Sequence, residues 1–171
     1  PKAAITHPAF DEAESAVRKQ LDNFLNSKGT LSADYFHKTI GRLLYEKCGL
    51  SRSRKSLEEA IEGIKILKTS FENELLITGD DTLNSELEKA GRIADYLELA
   101  ELMCYDALQR EESCGAHFRE EYQTPDGEAV RNDAEFCYVS AWEWQGKDKP
   151  QKLHKEPLVF EAVELTVRSY K

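Results

Sequence analysis

The chain has 171 residues, a formal net charge of −9 at pH 7, and a composition that is 40% hydrophobic and 32% charged. These values predict one globular domain with at most a small appendage and exclude intrinsic disorder. The acidic balance argues against nucleic acid and against direct membrane contact, and no apolar run approaches the roughly 18 residues of a membrane-spanning helix. Because the chain opens with Pro1 rather than Met, we expect it to be a piece of a longer protein.

Four segments have the three- and four-residue apolar periodicity of amphipathic helices. We place these helices at about 8–28, 32–48, 56–75 and 85–110, and Gly29 is the expected end of the first. The apolar stripe of the first helix, which should face a core, consists of Phe10, Ala13, Val17, Leu21, Phe24 and Leu25.

The third and fourth helices carry further signals. Ser56 and Glu59 have the spacing of a reciprocal capping box, which predicts that the third helix begins at Ser56. Apolar residues of the fourth helix cover more than one stripe, so we expect it to be buried on several sides. Short connections make neighbouring helices antiparallel, and the set predicts an up-and-down bundle of three or four helices, similar to a spectrin repeat.

In the last third of the chain the apolar period falls to two, which is typical of strands. One alternating run covers 136–144 and a second covers 158–167. The polar, lysine-rich segment 145–157 between them is interpreted as an exposed loop joining an antiparallel pair. A two-stranded ribbon is marginal alone, so we expect 112–171 to pack on a bundle formed by 1–111, as a single structural unit.

The sequence contains no motif for catalysis or nucleotide binding. None of the nine glycines belongs to GxGxxG or GxxxxGK[ST], and GxSxG and HExxH are absent as well. Cys48, Cys104, Cys114 and Cys137 are irregularly spaced, and we interpret them as free thiols in a cytosolic protein. Cys114 and His117 form a single Cys-x-x-His pair, whereas structural zinc needs four ligands, so we predict no metal site.

The segment after the fourth helix concentrates charged and hydrogen-bonding residues around a glycine. Gly115 permits a tight backbone path. Glu112, Ser113, His117 and Arg119 have the chemistry to tie this loop to a neighbouring element or domain. An ordinary helix end and connector is the alternative interpretation.

This segment resembles the Glu-Ser-Arg-Gly-Ala-His-x-Arg motif of succinate dehydrogenase and fumarate reductase flavoprotein subunits. Cys114 stands where the motif has its arginine, and the matching residues are Glu112, Ser113, Gly115, Ala116, His117 and Arg119. Upstream, residues 41–57 resemble the family's Arg-x-x-Met-Trp and Gly-x-x-Arg spacing, with Tyr45 in place of tryptophan. Near the end, Arg168 and Tyr170 are similar to the family's Arg-x-Tyr ending.

The resemblance implies a parent oxidoreductase that interconverts succinate and fumarate in electron transport and the tricarboxylic acid cycle. It implies covalently bound FAD in an N-terminal domain, and electron transfer to an iron–sulfur subunit held by a membrane cytochrome b anchor. The family's catalytic and flavin-binding residues all precede the matched region, so we expect no catalytic residue and no cofactor in this chain, and no activity from it alone. The parent is expected to be cytoplasmic and peripheral on the inner face of a bacterial cytoplasmic membrane.

Within this resemblance, we expect the chain to pack on the flavin-binding domain of the same subunit and to support docking of the iron–sulfur subunit. The residues placed at that interface are Glu112, Ser113, Gly115, His117, Arg119, Arg168 and Tyr170. Two alternatives stay open. One is the C-terminal domain of L-aspartate oxidase, which carries a similar motif, and the other is a freestanding helical adaptor that binds protein through an acidic face.

Overall fold

A computed structural model describes residues 4–80, 82–146 and 149–166. In this part the chain is mainly helical, and the helices are α1 Pro8–Leu25, α2 Ala33–Lys47, α3 Arg54–Glu74, α4 Ser85–Gln109 and α5 Asp133–Phe136. The predicted helical class with a small antiparallel strand pair is therefore confirmed, whereas the up-and-down bundle type stays a prediction. None of the helices in the described ranges is long and apolar enough to cross a bilayer.

Within the described ranges, short strands pair in three places. The parallel pairs are β1 Leu31–Ser32 with β3 Leu75–Leu76, and β2 Ser51–Arg52 with β4 Phe118–Arg119. The antiparallel pair is β5 Tyr138–Glu143 with β6 Lys152–Pro157.

Contacts within the chain define two compact units. The first combines the described residues up to Glu46 with Ala60–Leu102, and the second combines Lys47–Glu59 with the described residues from Met103 onward. The assignment of 1–111 and 112–171 to one structural unit stays a prediction.

The first unit has an apolar core built on aromatic contacts. The rings of Phe24 and Phe36 meet Phe71 edge-on, with centroid distances of 5.7 and 5.2 Å. Burial of each large aliphatic or aromatic side chain contributes about 1.5–3 kcal/mol. The buried residues of this core are Ala33, Phe36, Ile40, Ala60, Ile61, Ile64, Phe71, Leu75, Ile77, Leu87, Ala90, Ile93, Leu97 and Ala100.

Two of the predicted burial patterns are wrong. α4 buries a single stripe at three- and four-residue spacing, and Leu99 and Met103 beside that stripe are about half exposed. α1 has no fully buried residue, and Phe10 and Val17 are more than half exposed. The reason in α1 is that its apolar face contacts the core at the last turn, where Phe24 is half-buried against Phe71.

α3 begins two residues earlier than predicted, because Ser53 is its N-cap. The backbone N–H of Ser56 donates to Ser53 Oγ at 3.1 Å, and the N–H of Ser53 donates to Ser56 Oγ at 2.9 Å. This arrangement is a reciprocal capping box with serine at both ends. The predicted box between Ser56 and Glu59 is wrong, since the Glu59 carboxylate instead accepts from Lys47 Nζ at 2.5 Å.

Gly29 does not end α1, which stops at Leu25, but permits a close backbone approach. Its N–H donates to the carbonyl of Leu75 at 3.1 Å, beside the β1–β3 pair. A Cβ atom at this position would lie 1.9 Å from the carbonyl carbon of Glu74. Only glycine therefore fits at this position without moving the strands apart.

The second strand of the antiparallel ribbon lies earlier than predicted. β6 occupies the last six residues of the segment interpreted as a loop, and the run 158–166 forms no strand and is exposed. The chain turns at Gly146, whose φ is 113°, and β6 pairs with β5 soon after. This connection is shorter than the predicted loop, and a shorter loop loses less chain entropy on closure. Trp142 pairs with Leu153, and its indole Nε1–H donates to Asp106 Oδ1 at 2.8 Å, which fastens the ribbon to the end of α4.

Replacing Gly29 by alanine should lower the free energy of unfolding by about 3 kcal/mol, because the new methyl group would overlap the Glu74 backbone. Gly41→Ala is the matched control. Gly41 lies inside α2 with open space around it, so alanine there should raise stability by about 0.5–1 kcal/mol. Urea denaturation of both variants tests this, and equal effects would contradict the close approach.

Candidate functional site

The predicted motif closes the C-terminal end of α4, and Arg119 is its centre. Arg119 is fully buried, yet Nη1 donates to the carbonyls of Ala107 and Leu108 at 3.0 and 3.2 Å. A third, longer contact of 3.4 Å reaches the Arg110 carbonyl. Carbonyls in the last turn of a helix have no helical partner, and a cation there also opposes the negative end of the helix dipole. The guanidinium therefore caps α4.

Ser113 holds the backbone of Arg119 in place. Its Oγ accepts from the Arg119 N–H at 2.8 Å and donates to the Arg119 carbonyl at 3.1 Å. The N–H of Ser113 donates in turn to the Val130 carbonyl at 2.8 Å. Ser113 is fully buried, so these bonds satisfy groups that water cannot reach.

Glu112 is a buried carboxylate that joins the same cluster to the start of the ribbon. It accepts from Arg110 Nη1 at 2.6 Å and from the backbone N–H of Asn132 at 2.8 Å. The Arg110 guanidinium also donates to the carbonyls of Phe136 and Tyr138, at 3.3 and 3.0 Å. The charge of Glu112 is thus both paired and hydrogen-bonded, which is the condition under which a buried carboxylate is tolerated.

His117 is a half-buried, neutral imidazole with both nitrogens engaged. One ring nitrogen, Nε2, lies 2.9 Å from the Arg110 carbonyl, and Nδ1 lies 3.5 Å from Arg52 Nη1. A guanidinium can only donate, so Nδ1 accepts and Nε2 carries the proton. Burial lowers the pKa of His117 below its ordinary value, and the charges of Arg52 and Arg119 lower the pKa further, against the opposing effect of the Arg110 carbonyl.

A tight turn at the tip of the motif is the part that faces outward. The N–H of Cys114 donates to the His117 carbonyl at 2.8 Å, and the reverse bond measures 3.1 Å. Gly115, the second residue of the turn, has φ 58°, a left-handed conformation that favours glycine. Cys114, Gly115 and Ala116 are exposed, while the charged residues of the motif lie beneath them.

The structure brings the predicted Gly-x-x-Arg segment to the motif. Arg52 Nε donates to the Gly49 carbonyl at 2.8 Å, and its guanidinium faces His117. β2, which contains Arg52, pairs with β4, which contains Arg119. The two matched segments, distant along the chain, therefore form one cluster.

Two residues of the cluster were not predicted. Glu121 accepts from Arg119 Nε at 3.1 Å and from the backbone N–H of Arg54 at 2.5 Å. Glu111 accepts from the Arg54 guanidinium. A repeated Arg-Glu-Glu pattern, at 110–112 and again at 119–121, is the sequence signal that could have indicated them. Of the other predicted interface residues, Arg168 and Tyr170 lie outside the described residues.

The cluster is built to hold a loop, because its polar groups are occupied by one another. Among the described residues, each buried side-chain nitrogen and oxygen has a hydrogen-bond partner. In the same ranges no group of three or more His, Cys, Asp or Glu side chains is placed to hold a metal ion.

Replacing Arg119 should be strongly destabilising. Arg119→Ala removes the guanidinium from which the α4 carbonyls and Glu121 accept hydrogen bonds, and we expect a loss of about 3–5 kcal/mol in the free energy of unfolding. Arg119→Lys keeps the charge without the planar fork and should lose about 2 kcal/mol. Chemical denaturation measures both. Arg92→Ala, which removes an exposed pair with Glu88, should stay within about 0.5 kcal/mol of the parent, and a comparable loss there would contradict the capping role.

His117 should make the protein less stable in mild acid. The unfolded chain takes up a proton at this histidine near pH 6.5, whereas the folded protein resists it, so stability falls as pH drops from about 7.5 to 5.5. His117→Gln should reduce that slope, by up to about 1.4 kcal/mol per pH unit. Urea denaturation across the range measures it. An unchanged slope for His117→Gln would refute the assignment.

Comparison with known proteins gives the motif a family context. The succinate dehydrogenase flavoprotein subunit of Rickettsia bellii is 30% identical over 138 residues, which cover 79% of this chain and 22% of that protein. The fumarate reductase flavoprotein subunit of Escherichia coli K12 is 26% identical over 128 residues, covering 75% and 21%. The chain thus spans about a fifth of the length of the curated relatives it matches.

Solved structures share the fold. A variant of Escherichia coli quinol fumarate reductase superposes with a TM-score of 0.80 at 20% identity, covering 95% of this chain and 27% of that one. A quinol-fumarate reductase with menaquinol molecules gives 0.78 at the same identity and coverage. Residues 37–170 match the family described as fumarate reductase flavoprotein C-term, which confirms the resemblance read from the motif. The chain belongs to this fumarate reductase flavoprotein C-terminal family.

Proposed function

We propose that this chain is the C-terminal domain of a succinate dehydrogenase or fumarate reductase flavoprotein subunit. In this proposal the parent interconverts succinate and fumarate through FAD and passes electrons to an iron–sulfur subunit. The present domain packs on the flavin-binding domain and supports docking of the iron–sulfur subunit. The observation that carries the proposal is that the residues of the family motif bind the chain's own backbone and side chains. Glu112, Ser113 and Arg119 are buried and hydrogen-bonded around the end of α4, which suits a structural role and leaves them unavailable for chemistry.

The covalent FAD of the proposed parent lies outside this chain, in the flavin-binding domain. No glycine-rich phosphate loop is present in the sequence, and the motif histidine is occupied by Arg52 and by a backbone carbonyl. The isolated chain is therefore proposed to bind no cofactor and to catalyse no reaction.

The turn from Cys114 to His117 is the surface proposed to meet the flavin-binding domain. Its tip is exposed, whereas the bonds beneath it fix its backbone, and a preorganised surface loses less entropy on binding. Glu112, Ser113 and Arg119 act on this interface by holding the turn. Gly115 permits its conformation, and Arg168 and Tyr170 belong to the same proposed interface.

Docking of the iron–sulfur subunit, with a cytochrome b anchor beyond it, completes the proposal. It places the parent in the cytoplasm, peripheral on the inner face of a bacterial cytoplasmic membrane. The names of the similar proteins support this proposal, since the relatives are flavoprotein subunits of succinate dehydrogenase and fumarate reductase.

A charge on the turn should impair assembly of the parent complex. Ala116→Glu in the full flavoprotein subunit, co-expressed with its iron–sulfur partner, adds an unpaired carboxylate at the proposed interface. We expect several-fold lower recovery of the complex by size-exclusion chromatography and a matching loss of succinate-dependent dye reduction.

Ala134→Glu is the control, because Ala134 is exposed on α5, and it should assemble as the parent does. Normal assembly and turnover of the Ala116 variant would contradict packing of the flavin-binding domain on this turn. If the full subunit oxidised L-aspartate in place of succinate, the family member would be an L-aspartate oxidase.

A further inference from the structure

A run of exposed apolar side chains follows β6. We call residues 158–166 the strap; it forms no helix or strand, and each of its residues is exposed. Val159 is 81% exposed and Val163 is 67% exposed. The other exposed large apolar side chains of the strap are Leu158, Phe160 and Leu165. A group of large apolar side chains in contact with water along one short segment is typical of a binding surface.

The strap is fixed at both ends by hydrogen bonds to its backbone. At its start, the N–H of Leu158 donates to the Cys137 carbonyl at 3.0 Å. At its end, the Thr166 carbonyl accepts from Arg131 Nη1 at 2.9 Å. Asp133 holds Arg131 in turn, with Nη2–Oδ2 and Nε–Oδ1 distances of 2.6 and 3.0 Å. The apolar side chains therefore lie on a segment whose ends are already in place, and a preorganised surface loses less entropy on binding.

The end of the strap is connected to the exposed turn of the motif. Arg131 follows Val130, whose carbonyl accepts from the N–H of Ser113 at 2.8 Å. Ser113 directly precedes Cys114, the first residue of the turn. Because Arg131 also binds Thr166, it brings the end of the strap close to the turn. The strap thus extends the surface to which the turn belongs.

The charges of the strap indicate the chemistry of a partner. Its charged residues are Glu161 and Glu164, both exposed, and it contains no lysine or arginine. Opposite charges across an interface favour association, whereas like charges oppose it. A surface that covers the strap should therefore be apolar at its centre and carry lysine or arginine at its rim.

We propose that the strap is a docking surface for the flavin-binding domain of the parent, which covers it with an apolar surface rimmed by basic side chains. This inference rests on the proposed function, in which the same domain meets the adjacent turn. Continuity of the strap with that turn favours this partner over others. The length of the relatives also favours it, because the matched part is 22% of the Rickettsia bellii protein and most of that protein lies outside the match.

Alkylation of a cysteine placed in the strap tests the proposal. Val163→Cys is introduced into the full flavoprotein subunit, and its reaction with N-ethylmaleimide is followed by peptide mapping in the native subunit and in urea. We expect a reaction about tenfold or more slower in the native subunit, because a covered side chain reacts only when its surroundings open. Adding Val159→Asp, which places a charge in the proposed interface, should restore most of the reactivity.

Leu83→Cys is the matched control, since Leu83 is a fully exposed aliphatic residue in a loop outside the strap. It should react in the native subunit at close to its rate in urea. Equally fast native reactions of Val163→Cys and Leu83→Cys would overturn the proposal. Protection that disappears on dilution would overturn it in favour of a second copy of the chain, and protection seen only with the iron–sulfur subunit would overturn it in favour of that partner.

Succinate-dependent dye reduction by the assembled complex separates this inference from the proposed function. An active complex whose subunit leaves the strap reactive would contradict the docking surface alone. A protected strap in a subunit whose complex lacks this activity would support the docking surface and contradict the proposed function.

Discussion

The buried guanidinium of Arg119 is the interaction on which the second unit depends. Removing a cation from water is unfavourable unless it is paired and hydrogen-bonded. The chain meets this condition with the α4 carbonyls, with Glu121, and with the ring of Tyr122, whose centroid lies 5.5 Å from the guanidinium carbon. The end of a helix and the loop that follows it thereby stabilise each other. Ser113 completes the arrangement by fixing the backbone of Arg119.

Helices could be predicted from the sequence because their signals are local. Apolar spacing located the four long helices, with errors of three residues or fewer at their ends. Where tertiary contacts determine the start of a helix or the position of a strand, the predictions are wrong. The sequence predicted a start at Ser56, whereas the cap at Ser53 is supported by a bond from the Arg54 N–H to Glu121, 67 residues away. The position of β6 likewise depends on pairing with β5, which alternation alone cannot specify.

The motif could be located from the sequence, but its orientation could not. The density of charged residues around a glycine marked residues 112–119 as unusual, and the motif resemblance indicated the family. Which side chains lie inside, and that His117 faces Arg52, follow only from the β2–β4 pairing. The outcome is a motif whose charged residues are satisfied within the chain and whose turn is exposed. A dense cluster of charged residues can thus serve as a clamp that holds an exposed turn.

Native-state hydrogen exchange of the Arg119 backbone amide tests the clamp most directly. This amide is outside any helix, and its bond to the buried Ser113 hydroxyl is what should protect it. We expect this amide to exchange as slowly as amides in the buried part of α4, such as that of Cys104. Exchange as fast as at Val163, which is exposed and outside any strand, would mean that Ser113 does not hold the Arg119 backbone.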